Sequence, residues 1–306
     1  KKLETIYKLS IKSNRCDLSE ALISDVPVAL AYSAGVDSSV LSEIFKDKVE
    51  NLSIGLLPKH AKKPSHIITL SSSEYKEFLK RWKSLKGSKH SIDGFNTFVL
   101  TDICKKKRYK VVISGAGGDE MFSGYKQHRY FIFILFISFF PNKIIKFLSR
   151  LGGRFERLDW LLTKKFPRKF KIYLAVRAID KLENIQFDKR LIDKLNLIYN
   201  SRSKLFERFN IERIFANLEM SIFLKSRLLR DADYFSMMNG IELRTPFLNK
   251  GLLSKINSNI FLNSVFLPNK LGSILYFKKF NLIPIAFYKK EGFFINIGKN
   301  KKKSLL

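Results

Sequence analysis

Two stretches of this chain combine small residues, hydroxyls and an aspartate as a phosphate-binding turn requires. The first is AYSAGVDSS, Ala31 to Ser39. Ala34 and Gly35 would let an anion approach the backbone, Ser33, Ser38 and Ser39 offer hydroxyl donors, and N–H groups at a following helix start favour negative charge. Asp37 is out of place beside phosphate unless a divalent cation lies between them, and Mg2+ is commonly held by one or two carboxylates plus phosphate oxygens. Neither the GxxxxGK pattern followed by Ser or Thr nor GxGxxG is present. The second stretch is VVISGAGGDEMFSGY, Val111 to Tyr125, in which Gly115, Gly117 and Gly118 precede Asp119 and Glu120. Taken singly, each stretch has an ordinary alternative: a capped helix start for the first, and helix N-terminal charges for Asp119 and Glu120. Taken together, on neighbouring strands, they would bring Asp37 and Asp119 to one site where a cation bridges nucleotide phosphates.

A third stretch, LLRDADYFSMMNGIELRTPFLN, runs from Leu228 to Asn249. It reads as an amphipathic helix, a stop at Gly240 and an extended segment before Pro246, and by itself it is structural.

The elements that must position these residues follow from periodicity. Val26–Tyr32, Asn51–Leu57, His66–Leu70 and Lys110–Ser114 read as strands, and Ser38–Phe45 as the helix after the first turn. Strands interleaved with helices predict an α/β fold with a doubly wound parallel sheet. From Tyr125 onward, apolar residues recur at helical spacing and strand signals are few. The expected organisation is an N-terminal helical segment over 1–24, a nucleotide-binding α/β core over 25–125 and a mostly helical C-terminal part over 126–306.

Composition bounds the rest. A chain of 306 residues with 45% apolar residues, 15 Gly and 8 Pro is globular and long enough for one large domain or two small ones. Two cysteines, Cys16 and Cys104, are too few for a disulfide framework or a zinc cluster and read as buried thiols in a reducing compartment. No secretory signal is found, and a cytoplasmic location is expected. The formal charge of +30, from 57 basic and 27 acidic side chains, would concentrate polyanions near the protein. The lysines are scattered along the whole chain, however, so the charge equally describes a lysine-solvated surface and names no partner; DNA is not expected. The longest apolar run, YFIFILFISFF from Tyr130 to Phe140, is shorter than the roughly 20 residues a membrane-crossing helix needs. A core helix and a segment touching a membrane surface both remain open, since Lys143, Lys146, Arg150, Arg154 and Arg157 follow.

The three stretches, in their order, resemble the synthetase domain of the asparagine synthetase family, whose patterns are SGGxDSS, SGEGxDExFGGY and MSxxxxxExRxPFLD. Here they stand as SAGVDSS, SGAGGDEMFSGY and MMNGIELRTPFLN, and FNLIPIAFYKKEGF (Phe280 to Phe293) is similar to the family's closing element. The resemblance covers roughly residues 25 to 298. It implies an ATP- and Mg2+-dependent reaction of two steps: a carboxylate, aspartate by default, is adenylated with release of pyrophosphate, and ammonia or an amine then displaces AMP. It places Ser33, Gly35, Asp37, Ser38 and Ser39 in the pyrophosphate loop, Asp37 and Asp119 on Mg2+, and Ala31, Ile54, Ser114 and Gly115 at the adenosine. Lys290 matches the family lysine that stabilises charge on the phosphate and the tetrahedral intermediate, and Glu120 and Arg244 join it as catalytic candidates. A separate glutaminase subunit could supply the ammonia, because the 25 residues before the first strand contain no candidate nucleophilic cysteine for that step.

The chain also departs from the family. Ala116 stands where SGEGxDE has a glutamate, and alanine cannot transfer a proton. Lys225, Ser226 and Arg227 replace an acidic pair, Tyr234 an arginine, and Asn249 the last aspartate of PFLD. The connection from Ile54 to Ile67 is short for a parallel crossover with its helix. These departures keep two other readings open: a non-catalytic nucleotide-binding relative from a glycan or peptide cluster, and a PP-loop enzyme of tRNA modification.

Overall fold

The computed structural model describes residues 18–54, 66–85, 92–122, 124, 125, 128, 130–177, 189–208, 211–249, 251, 252, 270–287, 296, 297, 301 and 302. Within them, five strands, β1 (Val28–Ala31), β2 (Glu50–Ser53), β3 (His66–Ile67), β4 (Val111–Ile113) and β5 (Glu242–Arg244), pair in the order β3-β2-β1-β4-β5. Every pairing within this sheet is parallel; Asn296–Ile297 and Lys301–Lys302 form a separate antiparallel pair. Alternation explains why the sheet is covered on both sides. Val28 and Leu30 of β1 and Val111 and Ile113 of β4 enter one apolar cluster, whereas Ala29 and Val112 enter another. Strands buried on both faces are what a parallel sheet between helical layers requires. The expected doubly wound α/β fold therefore forms, and the strand order reverses between β1 and β4, where such sheets open a crevice for ligands.

The strands are shorter than expected, and residues 55–57 of the predicted second strand lie outside the described residues, as does most of the short connection after it. The extended segment read before Pro246 becomes β5, which pairs with β4 at the sheet edge. The first helix, α1 (Val36–Phe45), starts two residues before the expected Ser38, because Gly35 is extended (φ −72, ψ 165) and caps it. That shift puts Asp37 in the first helical turn.

The remaining helices are α2 (Ser72–Ser84), α3 (Ile92–Lys106), α4 (Gly118–Met121), α5 (Tyr130–Ile137), α6 (Asn142–Ser149), α7 (Asp159–Leu162), α8 (Arg168–Arg177), α9 (Lys189–Arg208), α10 (Ile211–Leu218), α11 (Arg230–Met238), α12 (Leu271–Tyr276) and α13 (Ile283–Phe287). A π-helical stretch, Glu219–Leu229, joins α10 to α11. α1, α12 and α13 share the apolar cluster on one face of the sheet, and α2, α3 and α11 the cluster on the other. A third cluster, with Phe131, Ile134, Phe170, Tyr173, Phe215 and Leu218, belongs to α5, α8 and α10 and is the core of the helical part. Among the described residues, no helix is long and apolar enough to cross a membrane.

Cys104, on α3, is fully buried, and burial pushes its thiol up to about 12. It is a packing residue with no reactive thiolate. Cys16 lies outside the described residues.

α11 is held to α3 at close range. A methyl group at Gly94 would lie 2.8 Å from Cε2 of Phe235, so only glycine lets the two helices approach this far. Asn239 Nδ2 donates to Thr101 Oγ1 at 2.9 Å, and Thr101 Oγ1 donates to the Phe235 carbonyl at 3.2 Å. Phe235 is fully buried between these groups. Phe235→Ala should lower the unfolding free energy by about 3 to 5 kcal/mol, the usual cost of removing a core aromatic ring, read from urea denaturation.

Candidate functional site

The turn after β1 is closed by its own hydroxyls. The Ser33 N–H donates to Ser38 Oγ at 3.2 Å, Ser38 Oγ donates to the Gly35 carbonyl at 3.1 Å, and the Gly35 N–H donates to Ser33 Oγ at 3.4 Å. Ala34 sits at φ 56, the left-handed region that glycine adopts freely and alanine only with strain. Ser33 and Gly35 remain exposed at the mouth of the turn, and Ser38 and Ser39 are buried under it. The Ser39 hydroxyl has no hydrogen-bond partner among the described residues. A helix N-terminus capped by glycine, with hydroxyls gathered under it, is chemically suited to an anion.

The turn after β4 lies directly against this one. A methyl group at Gly115 would stand 3.0 Å from Asp37 Cβ, and Gly117 takes φ 95, so the chain can turn into α4 there only with glycine. Ser114 hydrogen-bonds through its N–H to the Arg244 carbonyl of β5 at 2.8 Å, and Ala116 donates its N–H to Ser114 Oγ at 3.3 Å. Asp119 follows in the first turn of α4.

The two expected carboxylates do converge, and a lysine stands between them. Lys270 Nζ contacts Asp37 Oδ2 and lies 2.6 Å from Asp119 Oδ1. Its side chain is 5% exposed, and its backbone is left-handed at φ 61, just before α12. Burial alone would lower the ammonium's pKa, but the charges of Asp119 and Asp37 outweigh it and hold it above the ordinary lysine value. The Lys270 ammonium lies between the two acids that the sequence assigns to Mg2+. The donor set nevertheless fits Mg2+, since two hard carboxylates beside a phosphate-suited turn are the partners that ion takes.

Beneath the pair lies a buried polar layer that links it to the helical part. Glu120 is 1% exposed and accepts a hydrogen bond from Tyr125 Oη at 2.7 Å. Burial first, and the neighbouring Asp119 charge second, push the Glu120 carboxyl up to about 7. Tyr125 packs edge-on to His128, whose Nε2 lies 3.3 Å from Glu219 Oε2. Arg177 of α8 completes the layer, with Nε 3.0 Å from Glu219 Oε1 and its guanidinium 3.3 Å over the Phe223 ring. His128 and Glu219 are fully buried, and burial keeps the His128 pKa below its usual value, so the imidazole is neutral at pH 7.

The other expected site residues are distributed as follows. Ala31 and Ser114, at the carboxyl ends of β1 and β4, are half-buried beside the crevice, whereas Ile54 is fully buried in the apolar cluster behind β2. Arg244 is not drawn to the pair: it bonds Glu242 at 2.8 Å and the carbonyls of Ala21 and Ile23 at 2.9 and 2.7 Å, tying the turn before β1 to the sheet edge. Asn249, in place of the family's aspartate, donates to Glu20 at 2.9 Å and accepts from the Gly251 N–H at 2.8 Å. Lys290 lies outside the described residues. Sequence reasoning missed Lys270, His128, Arg177 and Glu219. No sequence signal singles out Lys270, because the acid-free stretch between Glu242 and Glu291 also contains Lys250, Lys255, Lys278, Lys279, Lys289 and Lys290.

The asparagine synthase family model matches residues 91–258, more than half of the chain, and contains the second turn and β5. A Methanocaldococcus jannaschii protein bearing the name "Putative asparagine synthetase, glutamine-hydrolyzing, 2" is 28% identical over 149 residues, covering 43% of this chain. The chain spans 28% of that relative's length.

The buried Glu120 makes stability depend on pH. A carboxyl raised from 4.5 to about 7 keeps a proton in the folded state that the unfolded chain releases. Its stabilising contribution is complete below about pH 4.5 and is lost as the pH rises through about 7, a change on the order of 3 kcal/mol. Urea titrations in EDTA should show Glu120→Gln gaining on the parent by this amount between pH 4.5 and pH 8; a pH-independent difference would contradict the assignment.

Proposed function

The chain belongs to the asparagine synthase family, and on that premise we propose that it is an AMP-forming ligase that adenylates a carboxylate and passes the acyl group to ammonia or an amine. The observation that carries this reading is the meeting of Asp37 and Asp119 at the β1/β4 switch point, next to a hydroxyl-lined helix start. ATP would lie across the carboxyl ends of β1 and β4, with Ala31, Ser114 and Gly115 toward the adenosine and the Ser33–Ser39 turn toward the pyrophosphate. Asp37 and Asp119 would hold Mg2+, which when bound neutralises charge on the departing pyrophosphate.

The substrate carboxylate attacks the α-phosphorus, the bond to the bridging oxygen breaks, and pyrophosphate leaves. The amine nitrogen then attacks the acyl carbon, loses a proton, and AMP departs. With Ala116 unable to take that proton, Glu120, next along the chain from Asp119, is the first carboxyl to test as its acceptor. Lys290 would supply a fixed positive charge to the phosphate. Aspartate is the first acid to test and ammonia the first amine, with a separate glutaminase as one source.

Lys270 bears on both steps. To admit Mg2+, its ammonium has to release at least one of the two carboxylates. That same contact favours a second reading, a nucleotide-binding relative whose lysine permanently replaces the metal.

Exchange of labelled pyrophosphate into ATP, with Mg2+ and aspartate or other carboxylic acids, separates the two. The ligase requires acid-dependent exchange, and its absence with every acid, although ATP binds, gives the second reading. Asp37→Asn and Asp119→Asn should each lower exchange by at least about 100-fold while circular dichroism stays unchanged. Lys270→Gln provides a readout independent of turnover. Removing the ammonium leaves two partly buried carboxylates unpaired, so the variant should melt lower than the parent in EDTA and recover with millimolar Mg2+. A variant that melts identically with and without Mg2+ would remove the metal assignment.

A further inference from the structure

α5 and α6 each bury one side in the helical core and leave large apolar side chains on the other. Phe131, Ile134, Ile137 and Ile145 are buried, whereas Phe133, Phe136 and Phe139 recur at three-residue spacing on the outer side of α5 and the turn after it. Ile144, Phe147 and Leu151 do the same on α6 and its following turn. Phe136, Phe139 and Phe147 are 62%, 67% and 66% exposed. Phe155, in the helical turn that follows α6, packs edge-on to Phe133 of α5 with ring centroids 6.4 Å apart, which brings the segment after α6 against the outer side of α5. Single exposed apolar residues are ordinary on a protein, but a continuous group of them is not.

The charged side chains between Tyr130 and Phe155 are all basic, and Glu156, next along the chain, accepts from the Gly153 N–H at 3.1 Å. Lys143, Lys146 and Arg150 are exposed among the apolar residues, and the Arg168 guanidinium lies 3.4 Å from the centroid of Phe139. The chain has no acidic residue between Glu120 and Glu156. A second copy docked here would press two basic rims together on molecules of formal charge +30, so the surface is built for an anionic partner. Aromatic rings with lysine and arginine between them suit the boundary of a lipid bilayer, where the rings enter the acyl edge and the basic heads stay at the headgroups. No described helix can span the bilayer, so the contact lies in its plane.

We propose that the outer face of α5 and α6 docks this protein onto an anionic lipid bilayer. Anionic headgroups supply the counter-charge, and the exposed phenylalanines make the attachment more than electrostatic. The test is co-sedimentation of the whole chain with phosphatidylcholine vesicles containing phosphatidylglycerol, against phosphatidylcholine alone. Anionic vesicles should bind at least about tenfold more tightly, and Phe136→Glu with Phe147→Glu should weaken that binding at least about tenfold without lowering the melting temperature. Three results would overturn the proposal. One is no binding to anionic vesicles. Another is undiminished binding by the double variant, which would trace attachment to overall charge. The last is a lipid-independent dimer that the double variant dissolves, which would give the face to a second copy.

Discussion

Two carboxylates held at the same edge of a sheet repel each other, and a fold that brings them together has to supply a positive charge between them. In this protein Lys270 supplies it, from 233 residues beyond Asp37 along the chain. Its ammonium contacts Asp37 and Asp119 together, with almost no access to water, where the attraction between charges is strongest and the loss of any partner most costly. The left-handed backbone of Lys270 is the strain that accompanies its placement. The turn after β1, the turn after β4 and the start of α12 are locked to one another through this one nitrogen.

Below the ion cluster, the polar layer of Glu120, Tyr125, His128, Glu219 and Arg177 joins the sheet to the helical part. These contacts make the helical part a support for the turn after β4. The π-helical stretch from Glu219 to Leu229 begins at the residue that both His128 and Arg177 address. Packing of Phe235 and Asn239 against α3 fixes the far end of the same segment and delivers β5 to the sheet. The altered residue Asn249 continues this tie by holding Glu20, as Arg244 does by holding the Ala21 and Ile23 carbonyls.

The chain's large positive charge acquires a location in the same way. Spread along the sequence it distinguishes nothing, but on the outer side of α5 and α6 it lies among exposed phenylalanines, in a stretch with no acid between Glu120 and Glu156. The run YFIFILFISFF buries one side in the helical core and exposes the other, because a helix lying on a core shows one side to the interior and the other to the outside.

The sequence by itself determined the sheet and the two acidic turns. Val28–Ala31 and Val111–Ile113 are short, apolar and followed by small residues, and strands of that kind have few alternatives to a buried parallel sheet. Asp37 and Asp119 were legible because each sits a fixed few residues after such a strand, so local geometry alone carries it to the carboxyl edge. Tertiary structure decided what stands between them. Lys270 is one of many lysines, and nothing within its own segment marks it; its role arises only when α12 packs beside α1 and the two acids are already in place. Arg244 shows the converse. Its motif suggested chemistry, but the fold gives its guanidinium four oxygens, two on Glu242 and one each on Ala21 and Ile23. Local pattern fixes where a backbone turns, whereas the partner of a long charged side chain is chosen by whatever opposite charge the packed chain leaves within its reach.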